Sequence, residues 1–480
     1  MSSTLAPGRR GGLDGYFGIT QRGSTVRTEV IAGLTTFMTM AYILFLNPSI
    51  LFAPDRNGTT LSPEAVLTVT ALAAGIMTLA MGLYAKYPFA IAAGLGLNAV
   101  VNFQLVLGNQ LTWPEAMGVI VTEGIIILVL VLTGFRTAVM EAVPMALKQS
   151  IGVGIGLFIA LIGFVDAGFV TDTNQDTTQI PGLPPPPLQL GVNNELQGWP
   201  VFIFIIGLLL ILFLYTRKVR GALLLGILAT TVVAVLVNEL LLDGEGFEGA
   251  ARFQRFADFP AGDNFSLIGD FSFGFFAEMG AIAAVLAVFT IMLSDFFDTM
   301  GTVVGLGSEA RLLDRDGRLP GIDRVLQVDS AAAAVGGGFS ASSNTTYIES
   351  ASGIAEGGRT GLTAVVVGGL FILSIFFAPL AAIIPPQATA PALVVVGFLM
   401  MTNIRHIPWD DLDLAIPAFL TMVIMPFTYS ITNGIGAGFV AYVFLKVARG
   451  RGREVAPMMY IAAIAFVLYF GIFYVRDVLT

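Results

Sequence analysis

MLSDFFDTMG, residues 292–301, is the stretch that decides how this chain must be read. It lies inside an apolar run from about Ala277 to Leu306, yet it carries two carboxylates, Asp295 and Asp298. At helical pitch, residues three and four apart share a face. Asp295, Asp298, Thr299 and Thr302 therefore form one polar stripe, with Leu293, Phe296, Phe297 and Val303 pointing elsewhere. An ionisable side chain at membrane depth costs about 2.5–3.5 kcal/mol on insertion scales. Two of them on one helix point to a substrate or ion pathway. The plainer alternative is a pair of carboxylates locked to neighbouring helices for packing.

The surroundings are those of an integral membrane protein. The chain has 480 residues, 55% hydrophobic and 12% charged, with a mean hydropathy of +0.83. A soluble domain carries about 25% charged residues. Apolar runs long enough for helical spans recur from end to end, which favours an all-α polytopic fold over a barrel of alternating strands. There is no cysteine, which excludes disulfides, thiolate metal sites and cysteine nucleophiles. Lysine occurs only at Lys86, Lys148, Lys218 and Lys446, and none follows a glycine. A Walker A loop needs Gly-Lys-Ser/Thr to hold phosphates, so that route to ATP hydrolysis is closed. The net charge of −9 resides in loops and says little about partners. A polar N-terminus before an apolar run long enough to span argues against a cleaved leader.

Basic residues set the expected orientation. Arg9, Arg10, Arg22 and Arg27 precede the first span and place the N-terminus in the cytoplasm. Arg136, the Arg217–Arg220 cluster, Arg311, Arg315 and Arg318, and Arg449–Arg453 mark further inner loops. The loop from about Asp166 to Pro200 has no Lys or Arg and contains Pro184–Pro187, which reads as an extracytoplasmic extended segment. Trp113, Trp199 and Trp409 fall at span ends, where an aromatic belt would put them. Hydropathy predicts about fourteen spans, with Pro457–Val475 an additional run that either spans or lies along the bundle.

Two segments are too broken to be ordinary helices. One is PFAIAAGLGLNAVVNFQLVLG, broken by Pro88, Gly94 and Gly96, in which Gly94, Gly96 and Asn98 stand where the backbone must leave the helix. The other is SASSNTTYIESASGIAEGGRTG, in which Ser342 to Tyr347 lead into Glu349. Its Thr345, Thr346, Tyr347 and Ile348 favour a short extended piece, followed by a half-helix from about Ser350 to Gly357. Irregular backbone at this depth survives only where it is buried in protein or lines a cavity. Corresponding interrupted helices in two halves mark a transporter's binding site. With seven spans per half, the second copy inserts upside down, and the broken pieces meet near the midplane. Such a cavity offers donors from a helix start and acceptors from Glu349, which suits a flat heterocycle with mixed edges. Glu123, beside Thr122 in the fourth span, reads equally as a relay group or as a buried pair partner.

The motifs GLGLNA, SDFFDTMGT and TTYIESASGIAEGGRTGLTA resemble the azaguanine-type branch of the xanthine/uracil permease superfamily, from about Tyr16 to the C-terminus. These are purine permeases for adenine, guanine and hypoxanthine. The resemblance implies the uracil-permease fold, two inverted repeats of seven helices forming a core and a gate domain. On that pattern a tail of residues 1–27 precedes core segments 28–134 and 277–380 and gate segments 135–276 and 381–480. The resemblance also carries substrate contact to Asn98, Asp295 and Glu349, with Gly96 shaping the site and Asp298 nearby. Thr346 and Tyr347 complete the expected binding set, and Asp298, Asp295 and Glu123 the expected proton path. It implies proton symport in the cell membrane. The expected partners are a purine, a proton or Na+, the bilayer and a second copy of the chain as a homodimer. No cofactor, metal or nucleic acid is expected.

Two rivals can be weighed on residues alone. An intramembrane aspartyl protease needs two carboxyls converging from different elements. Asp295 and Asp298 lie one turn apart on one helix, with no second buried Asp expected to meet them. A channel or anion exchanger of the same fold would present cationic or neutral groups where this chain has three carboxylates.

Overall fold

The computed structural model describes residues 12–134, 143–172, 188–192, 194–247, 250–252, 255–314 and 319–479. Arg9, Arg10, Arg136, Pro184–Pro187, Arg315 and Arg318, used above for sidedness and loops, lie outside these residues. In chain order the main helices are α1 (Val26–Met40), α2 (Pro63–Ala80), α3 (Leu95–Ala99), α4 (Trp113–Thr133) and α5 (Met145–Asp166). Then come α6 (Trp199–Thr216), α7 (Ala222–Leu241), α8 (Ala281–Glu309), α9 (Ile322–Gly338) and α10 (Ser350–Ala355). The chain closes with α11 (Gly361–Leu373), α12 (Pro386–Met401), α13 (Leu412–Thr428), α14 (Ile431–Ala448) and α15 (Pro457–Leu479). Four three-residue strands accompany them: β1 (Ile91–Ala93), β2 (Val170–Asp172), β3 (Leu188–Leu190) and β4 (Asn344–Thr346).

Among the described residues, eight helices are long and apolar enough to cross a bilayer. Five shorter apolar stretches, Leu95–Gly108, Ala281–Phe296, Gly361–Phe377, Leu412–Thr428 and Pro457–Gly471, fall below that length. The count is lower than hydropathy predicts because breaks, prolines and polar residues divide apolar runs into pieces shorter than a membrane crossing. The final run is helical throughout, Pro457–Leu479.

The two broken segments meet. β1 pairs antiparallel with β4, in the register Ile91 to Thr346, Ala92 to Thr345 and Ala93 to Asn344. All six residues are buried. The Gly94 N–H donates to the Ser343 carbonyl at 2.8 Å and the Tyr347 N–H to the Ala90 carbonyl at 2.9 Å, extending the ladder at both ends. The break in the first segment falls earlier than the glycines suggest. Pro88 offers no N–H and disfavours helix in the residue before it, so the chain is already extended at Ile91. Gly94 is the residue flanking α3 at its start, while Gly96 and Asn98 lie inside that helix.

Two groups of helices surround the crossing. α1, α2 and α11 pack together on one side of it, with α4, α8 and α9 beside them, while α5, α12, α13 and α14 pack with one another and α6 and α7 lean on α12. Small residues set the close approaches, as expected where lipid supplies no hydrophobic drive between helices. A Cβ added at Gly361 would lie 2.0 Å from the Gly82 carbonyl oxygen. Trp113 departs from the expected belt. It is buried, with its indole N–H donating to the Ala53 carbonyl at 3.1 Å, because a buried indole needs a hydrogen-bond acceptor and finds one there. Trp199 and Trp409 remain exposed.

The contact of α11 with Met81–Ala85, the turn that follows α2, makes a direct test. Gly361→Ala should cost about 1–3 kcal/mol through overpacking, read as a lower thermal midpoint in detergent. Gly369→Ala, where an added Cβ meets nothing within 4 Å, should leave the midpoint unchanged.

Candidate functional site

The strand crossing brings residues from four helices to one place. Gly336 allows α9 to lie against the Ser342–Asn344 backbone: a Cβ there would sit 2.1 Å from the Ser342 oxygen. Gly124 likewise lets α4 touch the backbone of Ala333 and Ala334. As a result Glu123 of α4 faces both Asp295 of α8 and Ser343. Asn98 stands one turn into α3, its backbone N–H bonded to the Gly94 carbonyl at 2.9 Å. Gly96, one turn short of Val100, presses on Ile155, 2.5 Å from where its Cβ would be, so α3 seats tightly on α5.

The polar atoms gathered there lack aligned hydrogen-bond partners in the protein. They include both amide atoms of Asn98 and of Asn344, both carboxylate oxygens of Glu123, Oδ1 of Asp295, and the hydroxyls of Ser342 and Ser343. Each of these side chains is almost fully buried. Buried polar atoms are normally paired, and each one left alone costs about 1–3 kcal/mol. A concentration of them at one crossing is the mark of a ligand site. It offers amide and hydroxyl donors together with carboxylate and amide acceptors.

Glu349 borders this cluster at the start of α10. Its Oε1 accepts from the Tyr42 hydroxyl at 2.5 Å, and Asp298 lies within electrostatic range. The expected contacts Thr346 and Tyr347 use their polar groups inside the protein. The Thr346 hydroxyl and N–H donate to Asp329 Oδ1 at 2.6 and 2.9 Å, and the Tyr347 hydroxyl donates to the Ala93 carbonyl. They frame the site and hold β4 against β1. Asp295 and Asp298 share the helix but not the environment. Asp295 is 1% exposed, whereas Asp298 is exposed, as are Gly305 and Glu309 further along α8. Positions seven and eleven residues on lie on the same helical face, so an accessible face runs from Asp298 to the Glu309 end.

Two residues escaped the sequence reading. Asp329 is buried near the middle of α9 and accepts from Thr299 at 2.6 Å as well as from Thr346, so it ties α8 to β4. Its only trace in the sequence is a carboxylate at the head of an Ala/Gly run. Tyr42 sits where the first span tightens, with Leu44 and Phe45 N–H groups bonded three residues back. Asp329 also corrects the expectation that no second buried aspartate approaches α8. It lies within electrostatic range of both Asp295 and Asp298, a proximity that helix packing creates and linear spacing conceals.

A family model for xanthine/uracil permeases, described as a permease family, matches residues 27–437. The chain belongs to this permease family. It is 39% identical over 460 residues to the adenine permease AdeQ of Escherichia coli (strain K12), covering 95% of this chain and 96% of that protein. It is 36% identical over 461 residues to the guanine/hypoxanthine permease PbuG of Bacillus subtilis (strain 168), covering 95% and 98%. These relatives are permeases, not enzymes. Among solved structures, the permease resembles the transmembrane domain of a cyanobacterium bicarbonate transporter, BicA, with a TM-score of 0.58 and 14% identity over 86% of this chain and 97% of that one. It also resembles the murine Slc26a9 anion transporter in the inward-facing state, with a TM-score of 0.60 and 10% identity over 93% and 74%. At these identities the likeness is one of fold. The permease is thus a helical, multi-pass membrane protein.

Asp329 gives this site its structural test. Asp329→Ala should lower stability in detergent by at least about 2 kcal/mol, since it strands the Thr346 N–H and hydroxyl in a buried place and leaves the Thr299 hydroxyl only its contact with Thr345. Asp329→Asn keeps an acceptor for Thr346 and should cost less than half of that. Equal losses in the two variants would show that these bonds do not hold the crossing.

Proposed function

We propose that this permease imports purine nucleobases, among them hypoxanthine, guanine and adenine, by proton symport with alternating access. The observation that carries the reading is the cluster of buried donors and acceptors at the crossing, where the amide groups of Asn98 and Asn344 have no aligned partner and Glu123 and Asp295 face each other with capacity left over. A purine is a flat ring whose edges alternate ring acceptors with N–H donors, and it would satisfy such a cluster. The names of the relatives, adenine permease and guanine/hypoxanthine permease, support the same substrate class. In this reading Asn98, Asp295 and Glu349 contact the base, Gly96 shapes its seat, and Thr346 and Tyr347 support it. Asp298, with Asp295 and Glu123, carries the proton, a role open equally to Na+.

The architecture we propose is the 7+7 inverted repeat. Its core comprises residues 28–134 and 277–380, and its gate residues 135–276 and 381–480. The strand-then-short-helix order of β1–α3 and of β4–α10 supports the repeat. Contacts at the two ends of the molecule support alternating access. At one end Gln104 donates to the Thr432 hydroxyl at 2.6 Å, and Phe103 and Phe158 both lie edge-on to Tyr429. These contacts close the two helix groups against each other. At the other end the exposed face of α8 leads from Asp298 toward Glu309. The protein would sit in the cell membrane with its N-terminus in the cytoplasm, as a homodimer.

The anion-transporter likeness of the fold suggests a second substrate class. The acidic groups gathered at the crossing, Glu123, Asp295, Asp298, Asp329 and Glu349, oppose it, because a small anion would meet like charge.

Uptake decides between these readings. Cells lacking their own purine uptake and expressing this chain should accumulate radiolabelled hypoxanthine, displaced by adenine or guanine but not by uracil or sulfate. Carriage of sulfate with purines ignored would overturn the assignment. Within the purine reading, Glu349→Gln should weaken base binding by about 2–4 kcal/mol, since an amide opposes ligand N–H groups with a donor. Asp298→Asn should leave equilibrium binding largely intact and abolish accumulation driven by an imposed proton gradient. Full gradient-driven accumulation by Asp298→Asn would move the proton to Asp295 or Glu123.

A further inference from the structure

Arg220 lies in the turn that joins α6 to α7, and that turn is pressed against the first helix group. Gly221, which follows it, has a φ of +70°, and a Cβ there would lie 2.7 Å from the Met38 carbonyl oxygen of α1. Only glycine fits that approach. From this turn Arg220 forms an ion pair with Glu356, the residue that closes α10. Glu356 is held from its own side as well. Gly353 lets α10 touch Ala32 and Thr36 of α1, and the Arg359 guanidinium donates to the Ile354 carbonyl at 2.5 Å. Every other ion pair between described residues stays within one helix group or one loop. Arg220 and Glu356 alone bridge the two groups. They do so far from the Gln104–Thr432 contact. Asp166, at the end of α5, lies within electrostatic range of Tyr429, and Phe164 beside it packs on Phe204 near the start of α6. α6 then runs the full span from Trp199 to Thr216, so the turn after it lies at the other end.

We infer that Arg220 and Glu356 form an ionic latch: the pair holds the two helix groups in the arrangement seen here and parts when the groups exchange access from one end to the other. The inference rests on the alternating-access reading above and not on which base is carried. An ion pair needs its nitrogen and oxygen within about 4 Å, so a displacement of one group past the other that exceeds the slack of two side chains removes it. Glu349, the expected base contact, and Glu356 bracket the same short helix, about two turns apart. The latch therefore acts on the half-helix that carries the binding carboxylate. Its side chains are 62% and 24% exposed, and that sets its size. A partly exposed pair shifts an equilibrium by about two- to fivefold.

The chain has no cysteine, so an introduced thiol reports alone. Thr432→Cys, at a side chain 2% exposed against Gln104, labels when the groups part at the Gln104 end. Gly305→Cys, on the exposed face of α8 where an added Cβ meets nothing within 4 Å, labels when the other end is open. The measurement is the ratio of the first maleimide labelling rate to the second, in full-length protein in detergent. Glu356→Gln should raise that ratio about two- to fivefold. Exchanging the charges, Arg220→Glu with Glu356→Arg, should return it to the parent value. Added salt should raise the ratio in the parent and leave it unchanged in Glu356→Gln. A merely structural role would change stability and leave the ratio where it was. An unmoved ratio in folded Glu356→Gln, a charge exchange that fails to restore it, or a parent indifferent to salt would each overturn the latch. Should Glu356→Gln not fold, the parent's response to salt decides. If Thr432→Cys never labels, the groups do not part there, and the alternating-access reading falls with the inference. If it labels and the ratio stays put, only the latch is lost.

Discussion

In the interior of a membrane protein there is no water to accept a stray backbone N–H, so a chain that leaves the helix must find its partner in another chain segment. Here two segments leave it, and each is the other's partner. β1 and β4 satisfy one another through three residue pairs, continued by Gly94 to Ser343 and by Tyr347 to Ala90. The rest of the site follows from that exchange. It fixes where α3 and α10 begin, and hence where Asn98 and Glu349 stand. There is little slack in it: a Cβ on Gly94 would lie 3.1 Å from the Thr345 methyl.

The carboxylates around the crossing are chemically alike and are differentiated by their partners. Asp329 has both oxygens engaged by Thr299 and Thr346, and serves as a tie between α8 and β4. Glu349 has one oxygen engaged by Tyr42. Glu123 and Asp295 face each other with oxygens that no aligned donor reaches, while Asp298 opens onto an accessible face. A buried charge is tolerated when its lone pairs are met and is costly when they are not. The unmet members are therefore the ones with capacity left for a ligand or a proton.

The first span is the rail along which the second broken segment is mounted. Near its start, Glu29 accepts from the N–H groups of Arg359 and Thr360 at 3.0 and 3.2 Å and from the Thr363 hydroxyl at 2.6 Å, satisfying donors at the start of α11. Beyond its other end, Tyr42 reaches Glu349. Between them Ala32 and Thr36 abut Gly353. Glu349 and the start of α11 are thus held by the same span.

Sequence alone settled the class of this protein and pointed to where its candidate site lies. Low charge and recurring apolar runs required a helical membrane protein, and carboxylates inside an apolar run together with two Gly- and Ser-rich interruptions pointed to a site. Those inferences rest on local physics, namely the cost of charge in lipid and the inability of glycine-broken segments to remain helical. The tertiary structure decided what local pattern cannot encode. It moved the first break to Ile91–Ala93, drew Trp113 into the core, and turned the Thr346 and Tyr347 hydroxyls inward to Asp329 and the Ala93 carbonyl. It also brought in Asp329 and Tyr42, one before an alanine run and the other at a bend in the first span. Their partners lie 17 and 307 residues away in the chain. A hydrogen bond across such a separation is set by how helices pack, and packing is a property of the whole bundle, so no window of sequence could have displayed it.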